Sequence, residues 1–174
     1  METIVAHPNV ATALNNLAQL LQATNRLGDA EPLMRRALAI DEHSYGTDHP
    51  NVARDLNNLA QLLHATNRLG DAEPLMRLAL AIDEHSYGAD HPDVAIDLNN
   101  LAQLLQATNR LSEAEPLYQR CVQIFHRLCQ QIGRTHPHFE VVRDNYRAFL
   151  RVRGLSEPEI EANIRDLLNQ PPDT

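Results

Sequence analysis

The chain has no tryptophan, and aromatic residues make up only 4% of its 174 positions. Its core must therefore consist mainly of leucine and alanine, which suit closely packed helices. No segment approaches the roughly 20 consecutive apolar residues of a membrane span. The N-terminal METIVAHP also lacks the apolar run of a secretion signal. These absences predict a cytoplasmic protein that does not bind membranes.

Basic residues are also scarce, because 15 Lys and Arg stand against 23 Asp and Glu and the net charge is −8 at pH 7. Nucleic-acid affinity depends on Lys and Arg contacts with phosphate groups. An acidic chain with no basic run is therefore not expected to bind nucleic acid.

Motifs of catalysis, metal binding and cofactor binding are missing. The two cysteines, Cys121 and Cys129, lie eight residues apart on one predicted helix. That separation is about 12 Å, too far for a disulfide, so free thiols are expected. The nine histidines show no metal-ligand spacing, and phosphate loops and nucleophile elbows are absent. We expect no enzyme activity, no metal and no cofactor; catalysis or metal chemistry is a third hypothesis, which these absences disfavour.

An internal repeat dominates the sequence. The dipeptide His-Pro begins at His7, His49, His91 and His136, at intervals of 42, 42 and 45 residues. The first two copies, 7–48 and 49–90, differ at only five of their 42 positions, namely Thr12/Arg54, Ala13/Asp55, Gln22/His64, Arg36/Leu78 and Thr47/Ala89. The third copy diverges in its second half, and the fourth is degenerate. Such a period indicates a tandem array of structural units.

Each copy has the pattern of two helices. In the first helix, apolar residues recur at steps of three and four, as at Leu14, Leu17, Ala18 and Leu21. Asp48 before His49-Pro50 is a plausible cap of the next such helix. No segment alternates strictly between polar and apolar residues as a half-buried strand does. The predicted fold class is all-α.

The turn and the second helix have their own signals. Asn25 suits the left-handed conformation at a helix end. The second helix is expected to begin near Gly28, because Pro32 lacks an N–H group and belongs in a first turn. Tyr45 and Gly46 should end it.

These residues resemble the tetratricopeptide repeat family. The signature spacing is present at Leu14, Leu17, Ala18, Leu21, Leu27, Ala30 and Ala37. The 42-residue period, with its HPxVA, LNNLA and AEPL blocks, is similar to the longer repeats of kinesin light chains and related bacterial proteins. The resemblance covers about His7 to Gly154. It implies antiparallel helix pairs stacked in a right-handed superhelical solenoid, with the first helix of each pair lining a concave groove.

The repeats define the expected organisation of the chain. It comprises an N-terminal lead-in (1–6), repeat 1 (7–48), repeat 2 (49–90), repeat 3 (91–135), a degenerate capping helix pair (136–169) and a flexible tail (170–174). Ser156 and Glu159 have capping-box spacing at the start of the last helix. No equivalent cap covers the first repeat, so we expect apolar surface there, as in a fragment of a longer array or an end-to-end contact.

The paired asparagines of LNNLAQLL fall on the side of the first helix that faces away from its partner, with the first of each pair nearer the centre of that face. In the resembling family this side lines the groove, and carboxamides there can pair with the N–H and C=O groups of an extended peptide. The predicted peptide-binding residues are Thr12, Asn15, Asn16, Gln19 and Gln22 in repeat 1, Arg54, Asn57, Asn58, Gln61 and His64 in repeat 2, and Ile96, Asn99, Asn100, Gln103 and Gln106 in repeat 3.

Within this set, Arg54 and Ile96 are the candidates for selectivity. A clamp for a terminal carboxylate is disfavoured, because Arg54 and His64 supply too little positive charge. The alternative for the asparagines is hydrogen bonding to the neighbouring repeat.

The sequence therefore predicts an interaction scaffold that binds an extended peptide or partner segment in the groove. The alternative is a structural, self-associating array, in which weak homo-oligomers stack through the N-terminal face.

Overall fold

The computed structural model describes residues 7–169, which form eight α-helices and no strand. The helices are α1 (Pro8–Ala23), α2 (Leu27–Tyr45), α3 (Pro50–Ala65), α4 (Leu69–Tyr87), α5 (Pro92–Ala107), α6 (Leu111–Ile132), α7 (Pro137–Val152) and α8 (Glu157–Leu168). The all-α prediction is confirmed for this part of the chain. The predicted lead-in and flexible tail lie outside the described residues.

Histidine caps the first helix of every pair. The Nδ1 atom of His49 accepts a hydrogen bond from the backbone N–H of Asn51 at 3.1 Å. The same bond occurs in the other copies, where the Nδ1 atoms of His7, His91 and His136 each accept from the backbone N–H two residues later, at 3.2 Å. The expectation that Asp48 caps α3 is therefore wrong, because the extended backbone of His49 already directs its ring at the free N–H groups of the first turn.

The turns within the helix pairs depend on an asparagine with positive φ. Asn25, Asn67 and Asn109 have φ values of 58°, 59° and 60°. The left-handed conformation predicted for Asn25 is confirmed, and asparagine tolerates it better than most residues. The end of α2 at Tyr45, with Gly46 following at φ 87°, also agrees with the prediction.

The start of α2 lies close to the predicted Gly28, but the predicted place of Pro32 in the first turn is wrong. The helix begins at Leu27, so Pro32 is its sixth residue and lies beyond the first turn. Proline removes one N–H group there. The carbonyl that would have accepted from it, four residues earlier, belongs to the exposed Gly28. Water can bond that carbonyl, so the helix continues through Pro32.

The chain divides into two compact units, one ending at Gly88 and the other beginning at Ala89. In unit 1, α1 packs against α2, α3 packs against α4, and α2 packs against α3. Its core is aliphatic, as composition predicts, with Val52, Leu56 and Ile82 buried together and Leu38 of α2 packed against them.

In unit 2, α5 packs against α6, and α6 contacts both α7 and α8. Its core is also mainly aliphatic, but it includes an aromatic cluster of Tyr118, Tyr146 and Phe149, which are fully buried with ring centroids 5.1–6.2 Å apart. The predicted capping box is present at α8, where the carboxylate of Glu159 accepts from the Ser156 N–H at 2.8 Å.

Candidate binding surface on the first helices

A buried hydrogen bond joins the first helices of the first two repeats. The Nδ2 group of Asn15 in α1 donates to Oδ1 of Asp55 in α3 across 2.7 Å. Both side chains are buried. The bond links residues 40 positions apart, so it holds α1 beside α3. Asn15 thus has an internal role between neighbouring repeats.

The second asparagine of each pair, and not the first, occupies the open side of the helix. At about 100° per residue, Thr12, Asn16 and Gln19 fall within about 60° of one another on α1. All three are exposed. Asn15 lies at the edge of this sector and turns towards α3, so its expected place nearer the centre of the face is wrong. Asn57 and Asn99 are buried as well.

In α3 the corresponding positions are Arg54, Asn58 and Gln61. Arg54 and Gln61 are exposed, and Asn58 is half-buried. The unit 1 face is defined here as these three residues together with Thr12, Asn16 and Gln19. Because the buried bond between α1 and α3 fixes the two helices, the face has a set spacing.

Unit 2 has an equivalent arrangement between α5 and α7. The Nδ2 group of Asn145 donates to Oδ1 of Asn99 across 3.0 Å. On α5 the open positions Ile96, Asn100 and Gln103 are half-buried.

Val141 of α7 is a face residue that the sequence analysis missed. It occupies the position that corresponds to Arg54 when the copies are aligned on their His-Pro dipeptides, and it is 57% exposed. The same alignment places Asn145 and Ala148 beside it. The unit 2 face is defined as these three residues with Ile96, Asn100 and Gln103. It has the apolar residues Ile96, Val141 and Ala148 at the positions where unit 1 has Thr12, Arg54 and Gln61. Aligning the degenerate fourth copy residue by residue could have identified Val141.

In each repeat, the last of the predicted peptide-binding residues lies away from the open side of the first helix. Gln22, His64 and Gln106 are half-buried. Gln106 accepts a hydrogen bond from the hydroxyl of Tyr118 in its own helix pair at 2.9 Å. This position therefore stabilises the hairpin in repeat 3, and the open faces consist of the other exposed and half-buried positions.

Two buried carboxyl groups lie beneath the unit 1 face. Asp41 of α2 and Asp55 of α3 are almost fully buried, and Arg54 lies 3.6 Å from each carboxylate. Burial, and secondarily the charge of Asp41, raises the pKa of Asp55 to about 6, although Arg54 and Asn15 oppose this shift. Burial also raises the pKa of Asp41. The pair thus binds protons more tightly than ordinary carboxyl groups do.

The chain itself shows that such an acid pair is not required between helices. At the α6–α7 contact of unit 2, the positions that correspond to Asp41 and Asp55 are Phe125 and Val142. Both are buried. An apolar pair therefore occupies this place where the repeat has diverged.

The outer side of α1 is apolar and uncovered. Val10, Leu17 and Leu20 are 37%, 47% and 61% exposed. The equivalent residues of α3, Val52, Leu59 and Leu62, are each 1% exposed. The expectation that the first repeat exposes apolar surface is confirmed by these side chains.

Within residues 7–169, no group of three or more histidine, cysteine or acidic side chains could hold a metal ion. No helix in this part of the chain is both long and apolar enough to cross a membrane.

Comparison with known proteins identifies the repeat. The family model described as tetratricopeptide repeat matches residues 9–85 and 68–126. The fold is similar to that of BtubC (BKLC) from P. vanneervenii, with a TM-score of 0.78 and 22% identity over 99% of this chain and 70% of that one. No curated protein matches the sequence.

A second solved structure is similar along nearly its whole length. It is a kinesin light chain-type protein of Podosopora anserina with nearly identical TPR-like repeats, with a TM-score of 0.65 and 19% identity over 96% of this chain and 97% of that one. At these identities the likeness shows the fold alone.

Proposed function

Since the chain belongs to the tetratricopeptide repeat family, we propose that it is a protein–protein interaction scaffold whose first helices bind an extended segment of a partner protein. Repeats of this family generally serve as interaction scaffolds. The observation that supports a binding surface on the first helices is the unit 1 face, where exposed polar side chains of α1 and α3 are held at fixed spacing by the bond between Asn15 and Asp55.

The carboxamides are the proposed contacts with the ligand backbone. Gln19 and Gln61 are exposed, and each can donate to a carbonyl and accept from an N–H group. Packed helices lie about 8–10 Å apart, and an extended chain advances about 3.3 Å per residue. One repeat therefore corresponds to about three ligand residues. The same contacts are proposed for the other carboxamides on the α1, α3 and α5 parts of the two faces, which are Asn16 and Asn58 in unit 1 and Asn100 and Gln103 in unit 2.

The buried asparagines serve this surface indirectly in the proposal. Asn15, Asn57 and Asn99 position the first helices, and Asn15 does so through a carboxylate rather than through a ligand. A surface that is rigid before binding loses less entropy when the ligand is bound.

Side-chain preference would come from the positions that differ among the copies. Arg54 is half-exposed and carries five N–H donors, so it suits an acidic ligand side chain. Ile96 and the exposed Val141 suit apolar ones. Unit 1 is thus proposed to prefer ligands with an acidic residue, and unit 2 is proposed to prefer ligands with apolar residues.

The test is selection of random 12-residue peptides on the immobilised full chain, followed by affinity measurements on the selected peptides. We expect dissociation constants of about 1 µM, roughly −8 kcal/mol. The variant Gln19→Ala/Gln61→Ala/Gln103→Ala should bind them at least tenfold more weakly. A matched control, His43→Ala/His85→Ala/Gln131→Ala, alters exposed residues of the second helices and should bind them normally.

Selectivity has its own test. Arg54→Thr places the repeat 1 residue in repeat 2 and should weaken only those peptides that contain an acidic residue. If no peptide were enriched, or if the glutamine variant bound the selected peptides as well as the parent, the first helices would not be the binding surface.

A further inference from the structure

A second surface, separate from the unit 1 and unit 2 faces, lies on the outer side of α1. It contains Val10, Leu17 and Leu20, and we include in it Arg26, which lies in the turn between α1 and α2. No acidic or basic residue occurs between Pro8 and Ala23. A solvent-facing helix without charge in a chain of net charge −8 has the composition of an interface centre, where charged residues are depleted.

The same surface is covered in the next repeat, which shows what kind of element fits it. α3 has the same residue as α1 at 13 of its 16 positions, and its Val52, Leu59 and Leu62 are buried. The preceding second helix, α2, packs on α3 and places Leu38 against Val52 and Leu56. A helix that resembles α2 therefore matches the apolar side of α1 as well.

An ion pair at one end of this contact supplies charge complementarity. Arg68, which follows α3, bonds both Asp71 of its own repeat and Glu31 of α2, each at 2.9 Å. Arg26 is the equivalent residue after α1, and it pairs with Asp29, the counterpart of Asp71, at 2.8 Å. Its side chain is 62% exposed. The place that Glu31 occupies beside Arg68 is thus open to an incoming carboxylate beside Arg26.

Two of the five differences between repeats 1 and 2 alter the other end of the contact. α3 has Arg54 and Asp55 opposite the buried Asp41 of α2, whereas α1 has Thr12 and Ala13. Neither Thr12 nor Ala13 can neutralise a buried carboxylate. An occupant of the α1 surface should therefore lack an acid at the place of Asp41, where α6 of unit 2 has the buried Phe125.

We infer that the outer side of α1 binds an amphipathic helix of the α2 type from a partner protein. This helix carries a carboxylate at the place of Glu31, an apolar residue seven positions later at the place of Leu38, and an uncharged residue at the place of Asp41. Head-to-tail stacking of a second copy fits less well, because α8 presents Glu161, Arg165 and Asp166 to solvent and would bury these charges against leucine.

The probe is a synthetic peptide with the sequence of residues 27–45 and the substitution Asp41→Ala. An isolated helix of this length is marginal in water. The peptide is therefore given a lactam bridge between positions 35 and 39, which are exposed in α2. We expect saturable binding to the full chain, measured by fluorescence anisotropy, and at least fivefold weaker binding of the same peptide with Asp41 retained.

Variants of the chain locate the contact. Leu17→Asp/Leu20→Asp should weaken binding at least tenfold, and Arg26→Ala should weaken it about threefold. Val152→Asp alters an exposed valine of α7 and should leave binding unchanged. Circular dichroism verifies that each variant keeps the helicity of the parent.

Three outcomes would overturn the inference. They are absence of binding to the parent chain, equal binding to the double aspartate variant, and a stable dimer of the chain alone at pH 7.5 that the double variant loses. The last would make a second copy the occupant. None of them bears on the glutamine variant used for the first-helix faces, so the two proposals fail separately.

Discussion

Asn15 and Asn16 are adjacent and chemically identical, yet only Asn15 is buried and bonded to a carboxylate. Asn15→Ala removes a donor from the buried Asp55, so we expect the free energy of unfolding to fall by about 1–3 kcal/mol. Asn16→Ala changes an exposed side chain and should stay within about 0.5 kcal/mol of the parent. Urea unfolding at pH 7.5 measures both. Equal effects would mean that the bond to Asp55 contributes little to stability.

The same carboxylate predicts an unusual dependence on pH. In the folded chain the pKa of Asp55 is raised from 3.8 to about 6, so between these values the folded state holds a proton that the unfolded state has released. Stability from this group therefore decreases as pH rises through the interval, by about 3 kcal/mol in all. Asp55→Asn does not titrate and can still accept from Asn15. We expect it to unfold at higher urea than the parent at pH 7.5, with the advantage shrinking towards pH 5.

The pH experiment has a matched control. Asp166→Asn removes one negative charge from an exposed position of α8 and should leave the pH dependence of unfolding as in the parent. If Asp55→Asn followed the parent at every pH, the buried carboxyl would not be the group that titrates.

At the scale of the helix, burial depends on neighbours rather than on local sequence. Leu17 and Leu59 occupy the same place in LNNLAQLL, but Leu17 is 47% exposed and Leu59 is 1% exposed. Leu59→Ala should therefore cost about 2–5 kcal/mol in urea unfolding, because both transfer energy and packing are lost. Leu17→Ala should cost less than about 1 kcal/mol. Similar losses at the two sites would indicate that the outer side of α1 is covered in solution.

Local signals predicted the elements well and their contacts less well. The left-handed Asn25, the terminal Gly46 and the capping box at Ser156 follow from backbone chemistry within a few residues, so the sequence contains them. Pro32 was misplaced because the cost of one missing N–H depends on whether water reaches the carbonyl of Gly28.

The open side of the first helices, the proposed binding face, was predicted only in outline. A helical wheel puts Asn15 and Asn16 on the same side of α1, and the distinction between them arises from Asp55, 40 residues away. Likewise, the pair of Asp41 and Asp55 is formed by two helices of different repeats, and neither residue is unusual in its own segment. Contacts of this kind require the packing of α1, α2 and α3 to be known.

For the whole molecule, we expect the balance between net charge and the apolar side of α1 to control self-association. The sequence has an isoelectric point of about 5.5, so repulsion between copies is strong at pH 7.5 and vanishes near pH 5.5. We expect sedimentation to show a monomer at pH 7.5 in low salt and a concentration-dependent increase in mass at pH 5.5. Apolar surface then associates without electrostatic opposition.

Uncharged substitutions separate the apolar contribution from the charge. Leu17→Asn/Leu20→Asn leaves the net charge unchanged and should keep the chain monomeric at both pH values. The control Val141→Asn/Val152→Asn removes two other exposed apolar side chains and should still associate at pH 5.5. If the leucine variant gained mass as the parent does, association would occur through another surface, and the exposed side of α1 would not drive contacts between copies. Loss of association in the leucine variant alone would identify the outer side of α1 as the surface through which copies associate. At neutral pH, repulsion from the net charge of −8 would then oppose that association.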